Sequence, residues 1–339
     1  MNKIITCAGY YGTGSSIVTD LLKEFDNCYS LGEYEFRFIQ DPDGISDLDY
    51  NLVENNHRHN SGYALKKYEK LAKFLSGNKL IKKYEQFFDN KFYSETQKYI
   101  ENLKDLEWTG MWHEDVRSKG ILFYYLERSL NKIVVLLNEK IFNRKECGFT
   151  LLKNEKTYYS YPEEKFYTYT KGYIENLCTI ANKDNKEFVV FDQLVPPSNL
   201  QRYNRYFNNI KIIVVDRDPR DCYLLEKLYY KGTIIPVDNV NKFIKWYFLT
   251  RQHRKYEKDP INVLRVTFEE AVYDYENFLK KVLNFLELKK SNHIKKKEFF
   301  NPEISKKNTK LWLKHLEYQK DIEKIQNELK EYCWNYEEK

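Results

Sequence analysis

Between Lys3 and Leu22 the chain reads KIITCAGYYGTGSSIVTDLL, and the residues there that could do chemistry are Gly9, Gly12, Thr13, Gly14, Ser15 and Ser16. Glycines at this density let successive backbone N–H groups point into one concavity. Two hydroxyls opening an amphipathic helix add donors at the positive end of its dipole, a combination that holds phosphate or sulfate oxygens. The spacing from Gly9 to Gly14, followed by Ser16, matches the phosphate-loop pattern with one departure. Ser15 stands where an NTP-hydrolysing loop carries the Lys that bridges the β- and γ-phosphates. Taken alone, the stretch also fits a turn that merely joins a buried strand to a helix.

Two later apolar runs end in charge. Phe188 to Phe191 leads into Asp192 and Gln193, and Ile210 to Val215 leads into Asp216, Arg217, Asp218, Pro219, Arg220 and Asp221, with Pro219 suited to the first turn of a helix. Strands of this type, separated by a helix, predict a parallel sheet whose charged ends share one edge with the glycine loop. A short strand over Asn27 to Tyr29 would bring Gly32, Glu33, Tyr34, Glu35, Phe36 and Arg37 to the same edge. Asp192, Glu33 and Glu35 therefore fall where open α/β sheets bind ligands. His113, in the irregular stretch Trp108 to Gly120, is a candidate general base, or else a plain surface residue.

The remaining periodicity predicts the elements that must position these groups. Helical spacing runs through Ser61 to Leu106 (Leu71, Phe74, Leu75; Leu80, Tyr84, Phe87, Phe88), and helices are predicted over Ile121 to Leu130, Glu163 to Ile180, Asn199 to Phe207, Val240 to Tyr256, Tyr275 to Leu286 and Gln319 to Tyr332. Ile133 to Leu137 and Val263 to Val266 read as strands, and Asp41 to Asp49 and Asn301 to Lys314 as loops. The expected architecture is α/β: one three-layer domain over residues 1–339 with a central parallel sheet, and a mostly helical insertion at about 55–182 forming a wall or lid on the acceptor side.

Bulk composition narrows the class. The 339 residues carry 56 basic and 50 acidic side chains, a net charge of only +6 with the signs interspersed, which argues against a dedicated nucleic-acid binder. The one lysine run, Lys289 to Lys297, reads as a solvated segment. Six cysteines without a CxxC pair read as reduced thiols. The apolar run after Lys3 is broken at Gly9, unlike a signal peptide, and no window approaches the ~18 apolar residues of a membrane span, so a cytoplasmic location is expected. Thirty tyrosines and 17% aromatics reflect the heavy Tyr, Lys, Asn and Ile usage of a codon bias more simply than a stacking platform.

Four segments in order, the glycine loop, VVDRDPRD, VLRVTFEEAVYDYENFLKKVLNFLEL and SKKNTKLW, make the chain resemble the sulfotransferases that use 3′-phosphoadenosine 5′-phosphosulfate. The resemblance covers about residues 3 to 26 and 186 to 315. It implies a P-loop-kinase-like fold, a 3′-phosphoadenosine 5′-phosphosulfate donor, no metal, and a hydroxyl acceptor, here a carbohydrate or related small molecule as in divergent bacterial members. By this resemblance Thr13, Gly14, Ser15 and Ser16 wrap the 5′-phosphosulfate, Arg217 grips the 3′-phosphate, Phe268 lies near adenine, and Lys306, Lys307 and Asn308 close over the 3′-phosphate. Three positions depart from it. Gly12 stands at the family's catalytic Lys, Leu225 at a 3′-phosphate Ser, and Gln193 at the His base. The base then falls to Asp192, Glu33 or Glu35, and the missing cation to Arg37, Lys66, Lys67 or Lys307. The rival readings are a P-loop kinase, which Ser15 opposes, and a catalytically inactive nucleotide-binding protein. Sequence leaves the oligomeric state open.

Overall fold

The glycine loop hangs from the centre of a five-stranded parallel sheet. In the computed structural model, which describes residues 3–78, 80–110, 119–143 and 155–336, the strands are β1 (Lys3–Gly9), β2 (Cys28–Glu35), β5 (Phe188–Asp192), β6 (Ile210–Asp216) and β7 (Val263–Thr267). Their order across the sheet is β2-β5-β1-β6-β7. β1 is therefore paired on both sides, with Cys7 opposite Asp192 and Gly9 opposite Val215. Because β1, β5 and β6 are covered on both faces, they read as continuous apolar runs rather than alternating ones. One face is closed by α1 (Ser16–Lys23) and the helix Tyr275–Leu286, packing Ile17, Val18, Leu21, Leu279 and Val282 onto Ile5, Cys7, Ile213 and Val215. This is the P-loop-kinase-like arrangement.

The chain divides into two compact units: Met1–Asp41, Leu75–Phe92 and Thr170–Lys339 form the first, and Pro42–Phe74 with Tyr93–Tyr169 the second. The sheet lies wholly in the first. The second holds most of the helices Arg58–Ser76 and Phe92–Leu103, the helix Ile121–Ile141, and a two-stranded antiparallel ribbon of β3 (Leu106–Gly110) and β4 (Glu155–Tyr159).

Several local expectations are corrected. The second strand does not stop at Tyr29; it resumes across an irregularity between Ser30 and Glu35, with Gly32 at φ +82°, so Glu33 and Glu35 lie in the strand rather than after it. The region Leu80 to Phe88 is not an α-helix and holds only the short 3-10 turn Tyr84–Gln86, because Gly77 at φ +86° breaks the chain where a Cβ would meet the Ile81 carbonyl oxygen at 2.1 Å. Tyr84 and Phe88 are instead buried against Phe36. Ile133 to Leu137 is helical: no glycine or proline interrupts Ile121–Ile141, and the helix runs through its β-branched residues. Leu106–Gly110, expected in part to be irregular, pairs with a strand whose sequence lies far away. Ile45–Asp49 forms a short helix inside the expected loop, and short helical turns occupy Pro302–Ser305, Lys306–Asn308 and Leu311–Leu313. The expected helices at 199–207, 240–256 and 319–332 are shorter, as Leu200–Asn204, Val240–Arg251 and Gln319–Glu328.

One buried carboxylate fastens the lysine-rich segment to the C-terminal end of α1. Glu24, fully buried, accepts the backbone N–H groups of Lys297 (3.0 Å), Phe299 (3.1 Å) and Phe300 (2.9 Å), and its Oε2 lies 2.5 Å from His293 Nε2. Removing it strands several buried donors, so Glu24→Ala should destabilise the fold by about 3–5 kcal/mol. Urea denaturation measures this, and a loss below about 1 kcal/mol would mean that packing alone holds the segment.

Candidate active site

The loop Gly9–Ser16 has the backbone of an anion cradle. Tyr11 (φ +67°), Gly12 (φ +64°) and Gly14 (φ +73°) all take left-handed conformations. The helical bonding of α1 begins with Ile17 N–H to Gly14 O (3.2 Å) and Val18 N–H to Ser15 O (3.1 Å), so the N–H groups from Gly12 to Ser16 precede the first helical donor. Ser15, at the N-cap, makes no side-chain capping bond; its Oγ accepts from Gln193 Nε2 at 2.8 Å. Gln193 thus restrains the loop from the end of β5. Gly14 packs so closely on Phe268 that a Cβ would sit 2.8 Å from the ring.

Beside the loop opens a cavity of about 650 Å³ lined by Gly9–Ser16, Glu33, Glu35, Arg37, Gln40, Asp192 and Gln193, among others. The register places Glu35 directly opposite Asp192, so two carboxylates share one edge of the sheet. Asp192 accepts from the Cys7 thiol at 2.8 Å. Burial, reinforced by the negative charge of Glu35, Glu33 and Asp20, raises its pKa from 3.8 to about 7. A carboxyl at that value can exchange a proton near neutrality.

A second cluster forms where β6 ends. Arg217, buried, directs Nη1 to the Gly12 carbonyl (3.5 Å) and Nη2 to the Asn308 carbonyl, and its guanidinium lies 4.2 Å from the centre of the Phe268 ring. Its Nε is buried with no partner among the described residues. The rest of the segment builds the frame. Asp216 pairs with Arg251 (2.8 Å), Asp218 caps the following helix and pairs with Arg220 (2.6 Å), and Asp221 accepts the backbone N–H groups of Lys310 and Leu311. Glu269, which accepts the Asp218 N–H, is pushed up to about 8 by burial and by Asp218.

The structure thus brings Gly12, Phe268, Asn308 and Arg217 into one cluster, and Thr13, Gly14, Ser15, Ser16, Glu33, Glu35 and Asp192 into one cavity. Lys306 is exposed and paired with Glu303 (2.8 Å), and Lys307 is exposed. Lys66 and Lys67 belong to the second unit, where Lys67 pairs with Asp43 (2.9 Å). His113 lies outside the described residues. Sequence reasoning missed the Tyr10 network: Tyr10 Oη lies 2.9 Å from His253 Nε2 and accepts from Arg265 Nη1 at 3.1 Å, while His253 Nδ1 is 2.9 Å from Glu257. Partners some 250 positions apart leave no local signal. Glu226 and Tyr230, also on the cavity wall, bound a π-helical turn of the kind frequent at functional sites.

No family model and no curated protein matches the sequence. Among solved structures, the chain is similar to the sulfotransferase domain from the curacin biosynthetic pathway (12% identity, covering 86% of this chain and 76% of that one, TM-score 0.38). It is also similar to the sulfotransferase domain from the Synechococcus PCC 7002 olefin synthase (11% identity, 89% and 77%, TM-score 0.37) and to retinol dehydratase in complex with androsterone and inactive cofactor PAP (14% identity, 98% and 82%, TM-score 0.36). Two of these three structures are sulfotransferase domains.

Gly14→Val should leave a folded protein, by circular dichroism, that binds an adenosine bisphosphate at least tenfold more weakly. The branched side chain opposes the left-handed backbone at about 1–3 kcal/mol and meets Phe268. Unchanged affinity in a folded variant would dissociate the cradle from nucleotide binding.

Proposed function

We propose that the protein transfers a sulfuryl group from 3′-phosphoadenosine 5′-phosphosulfate to a hydroxyl of a carbohydrate or related small acceptor. The observation that carries this reading is the Arg217 cluster: a buried guanidinium with an unpartnered Nε, set against both the glycine loop and an aromatic ring. A site for a 3′-phosphate beside a 5′-phosphosulfate loop needs that juxtaposition, whereas a kinase donor has no 3′-phosphate for the arginine to hold. The residues fit the donor. The N–H groups of Gly12 to Ser16 would take the sulfuryl and 5′-phosphate oxygens, Phe268 the adenine side, and Arg217 with the Lys306–Asn308 turn the 3′-phosphate.

Asp192 is the general base of this reading. It receives the acceptor hydroxyl's proton while the acceptor oxygen forms its bond to sulfur. The bond from sulfur to the 5′-phosphate oxygen breaks, with its electron pair left on the phosphate. Holding donor and acceptor in line and meeting the developing charge with preoriented donors supplies the remaining acceleration. Among the described residues no helix is long and apolar enough to cross a membrane, and Cys7, Cys28, Cys178, Cys222 and Cys333 are free thiols, which accords with a reducing cytoplasm.

Calorimetry with adenosine 3′,5′-bisphosphate against adenosine 5′-monophosphate tests the donor. The wild type should prefer the bisphosphate, and Arg217→Ala should cut that preference by about 1.5–3 kcal/mol, the range for hydrogen bonds to charged groups. Equal affinities in the wild type would overturn the reading, and binding without sulfate transfer to any of a panel of sugars would leave an inactive nucleotide-binding protein.

The base carries its own signature in pH. Because folding raises the Asp192 pKa from 3.8 to about 7, the folded chain binds this proton more tightly, and the group's contribution to stability is lost as pH climbs through that window. The ionised carboxylate is the form that accepts a proton, so turnover should rise with pH to a plateau above about 7. Asp192→Asn should lower turnover by ~10² or more, abolish that limb and spare bisphosphate affinity. A limb that persists in Asp192→Asn but vanishes in Glu33→Gln or Glu35→Gln would move the role to β2.

A further inference from the structure

We propose that Arg37 is the cation that contacts the transferring sulfuryl group, the function left vacant by Gly12 and Ser15 in the loop. The inference rests on the sulfotransferase reading above and goes beyond it by assigning the missing charge. Among the described residues that line the cavity, Arg37 is the sole cation, in a lining that also holds Glu33, Glu35, Glu226 and Asp192. A donor carrying a sulfuryl and a phosphate group, placed before those carboxylates, needs a counter-charge at the point of transfer. None of the other basic candidates, Lys66, Lys67, Arg217, Lys306 and Lys307, is part of this lining, and Arg217 directs its Nη groups to the Gly12 and Asn308 carbonyls.

The side chain is held in place with donors to spare. Arg37 Nε donates to Asp41 (2.7 Å), Nη1 to Glu35 (3.4 Å) and Nη2 to the Tyr11 hydroxyl (3.0 Å), which uses three of the five N–H groups of a guanidinium and leaves one on each terminal nitrogen. That remaining pair suits two oxygens of a sulfuryl group. The backbone beneath is fixed as well. Tyr84 Oη accepts the Arg37 N–H at 2.6 Å and donates to the Glu35 carbonyl at 3.1 Å, while the neighbouring Phe36 is fully buried against Tyr84, Phe88 and Phe191. The partner Tyr11 belongs to the loop itself, so the guanidinium is tied to the structure that holds the anion. In the transfer, Arg37 stays protonated throughout. It meets the negative charge that accumulates on the sulfuryl oxygens and on the departing 5′-phosphate oxygen as the new oxygen–sulfur bond forms and the old one breaks, while the acceptor's proton goes to Asp192.

Three measurements on the full chain test this: calorimetry with adenosine 3′,5′-bisphosphate, which lacks the sulfuryl group; calorimetry with 3′-phosphoadenosine 5′-phosphosulfate; and consumption of the latter with a sugar panel or with water as acceptor. Arg37→Ala should bind the bisphosphate within threefold of wild type and lose at least a hundredfold in donor consumption. Millimolar guanidinium should restore part of that rate, which a purely structural defect would not allow. Tyr11→Phe, which removes a holding contact but not the charge, should lose no more than tenfold. Donor consumption by Arg37→Ala within threefold of wild type would overturn the assignment. So would a parallel loss of bisphosphate affinity without guanidinium rescue, which would make Arg37 a support of the loop. If the wild type binds neither nucleotide, the sulfotransferase reading fails first and takes the assignment with it; if it binds both and only the Arg37 arms fail, that reading stands.

Discussion

The parallel pairing of β1 on both sides is the constraint from which the rest of the site follows. A strand hydrogen-bonded to β5 on one edge and to β6 on the other fixes the carboxyl ends of all three relative to one another, with Cys7 against Asp192 and Gly9 against Val215. A slip of one residue would turn Ile5 and Cys7 away from α1 and expose their positions to the opposite layer. Burial of Ile4, Ile5, Cys7 and Ala8 therefore specifies the register, and the register specifies where the glycine loop, Asp192 and Asp216 emerge. The cavity lies at the edge where parallel sheets of this kind hold ligands because the strand ends leave it there.

The charges at that edge are arranged as a graded set. Around Arg217 the carboxylates are almost all spoken for: Asp216 by Arg251, Asp218 by Arg220, and Asp221 by two backbone N–H groups. Arg220 also lies 4.1 Å over the Trp312 ring, so the same residue ties the start of its helix to the segment that follows Asn308. Each pair costs desolvation and adds little net stability. What the pairing achieves is geometry. It leaves the Arg217 guanidinium unclaimed by any carboxylate within salt-bridge distance among the described residues, resting on carbonyls and a ring. The Asp192 side is different: burial first, and then the negative charge of Glu35 and Glu33, raises its pKa.

The parts of this arrangement that are local in sequence were legible there. Short, largely apolar runs gave β1, β5, β6 and β7 nearly to the residue, and Pro219 marked its helix because the imino ring suits a first turn. The second unit was harder. Ile133 to Leu137 is β-branched enough to read as a strand, yet uninterrupted helix formers on either side carry it into Ile121–Ile141. Leu106–Gly110 is a strand only because Glu155–Tyr159 meets it, a contact no window of fifteen residues contains. The same limit applies at the site. Glu33 and Glu35 were found as residues but misplaced relative to the strand, since a bulge at Gly32 has no period to detect. The thiol of Cys7 on Asp192 and the amide of Gln193 on Ser15 join positions more than 170 residues apart.

The backbone of the loop disfavours a lysine at Gly12. Gly12 sits at φ +64° with Ile235 3.3 Å from where a Cβ would be, so a lysine there would have to adopt a left-handed backbone and displace a buried aliphatic chain. Conformation and packing both disfavour a side chain at this position. Gln193 is constrained in a complementary way: at φ +58° it turns its amide back to Ser15 and its carbonyl to Gln40 Nε2, and a base placed there would no longer brace the loop. Both departures thus belong to one rearrangement in which the loop region keeps the anion cradle and gives up its charged chemistry. On the proposed reading that chemistry passes to the adjoining edge of the sheet, where Arg37 follows β2 and Asp192 ends β5. Neighbouring strands, paired at Glu35 and Asp192, can hold a cation and a base side by side more rigidly than a loop of three left-handed residues could.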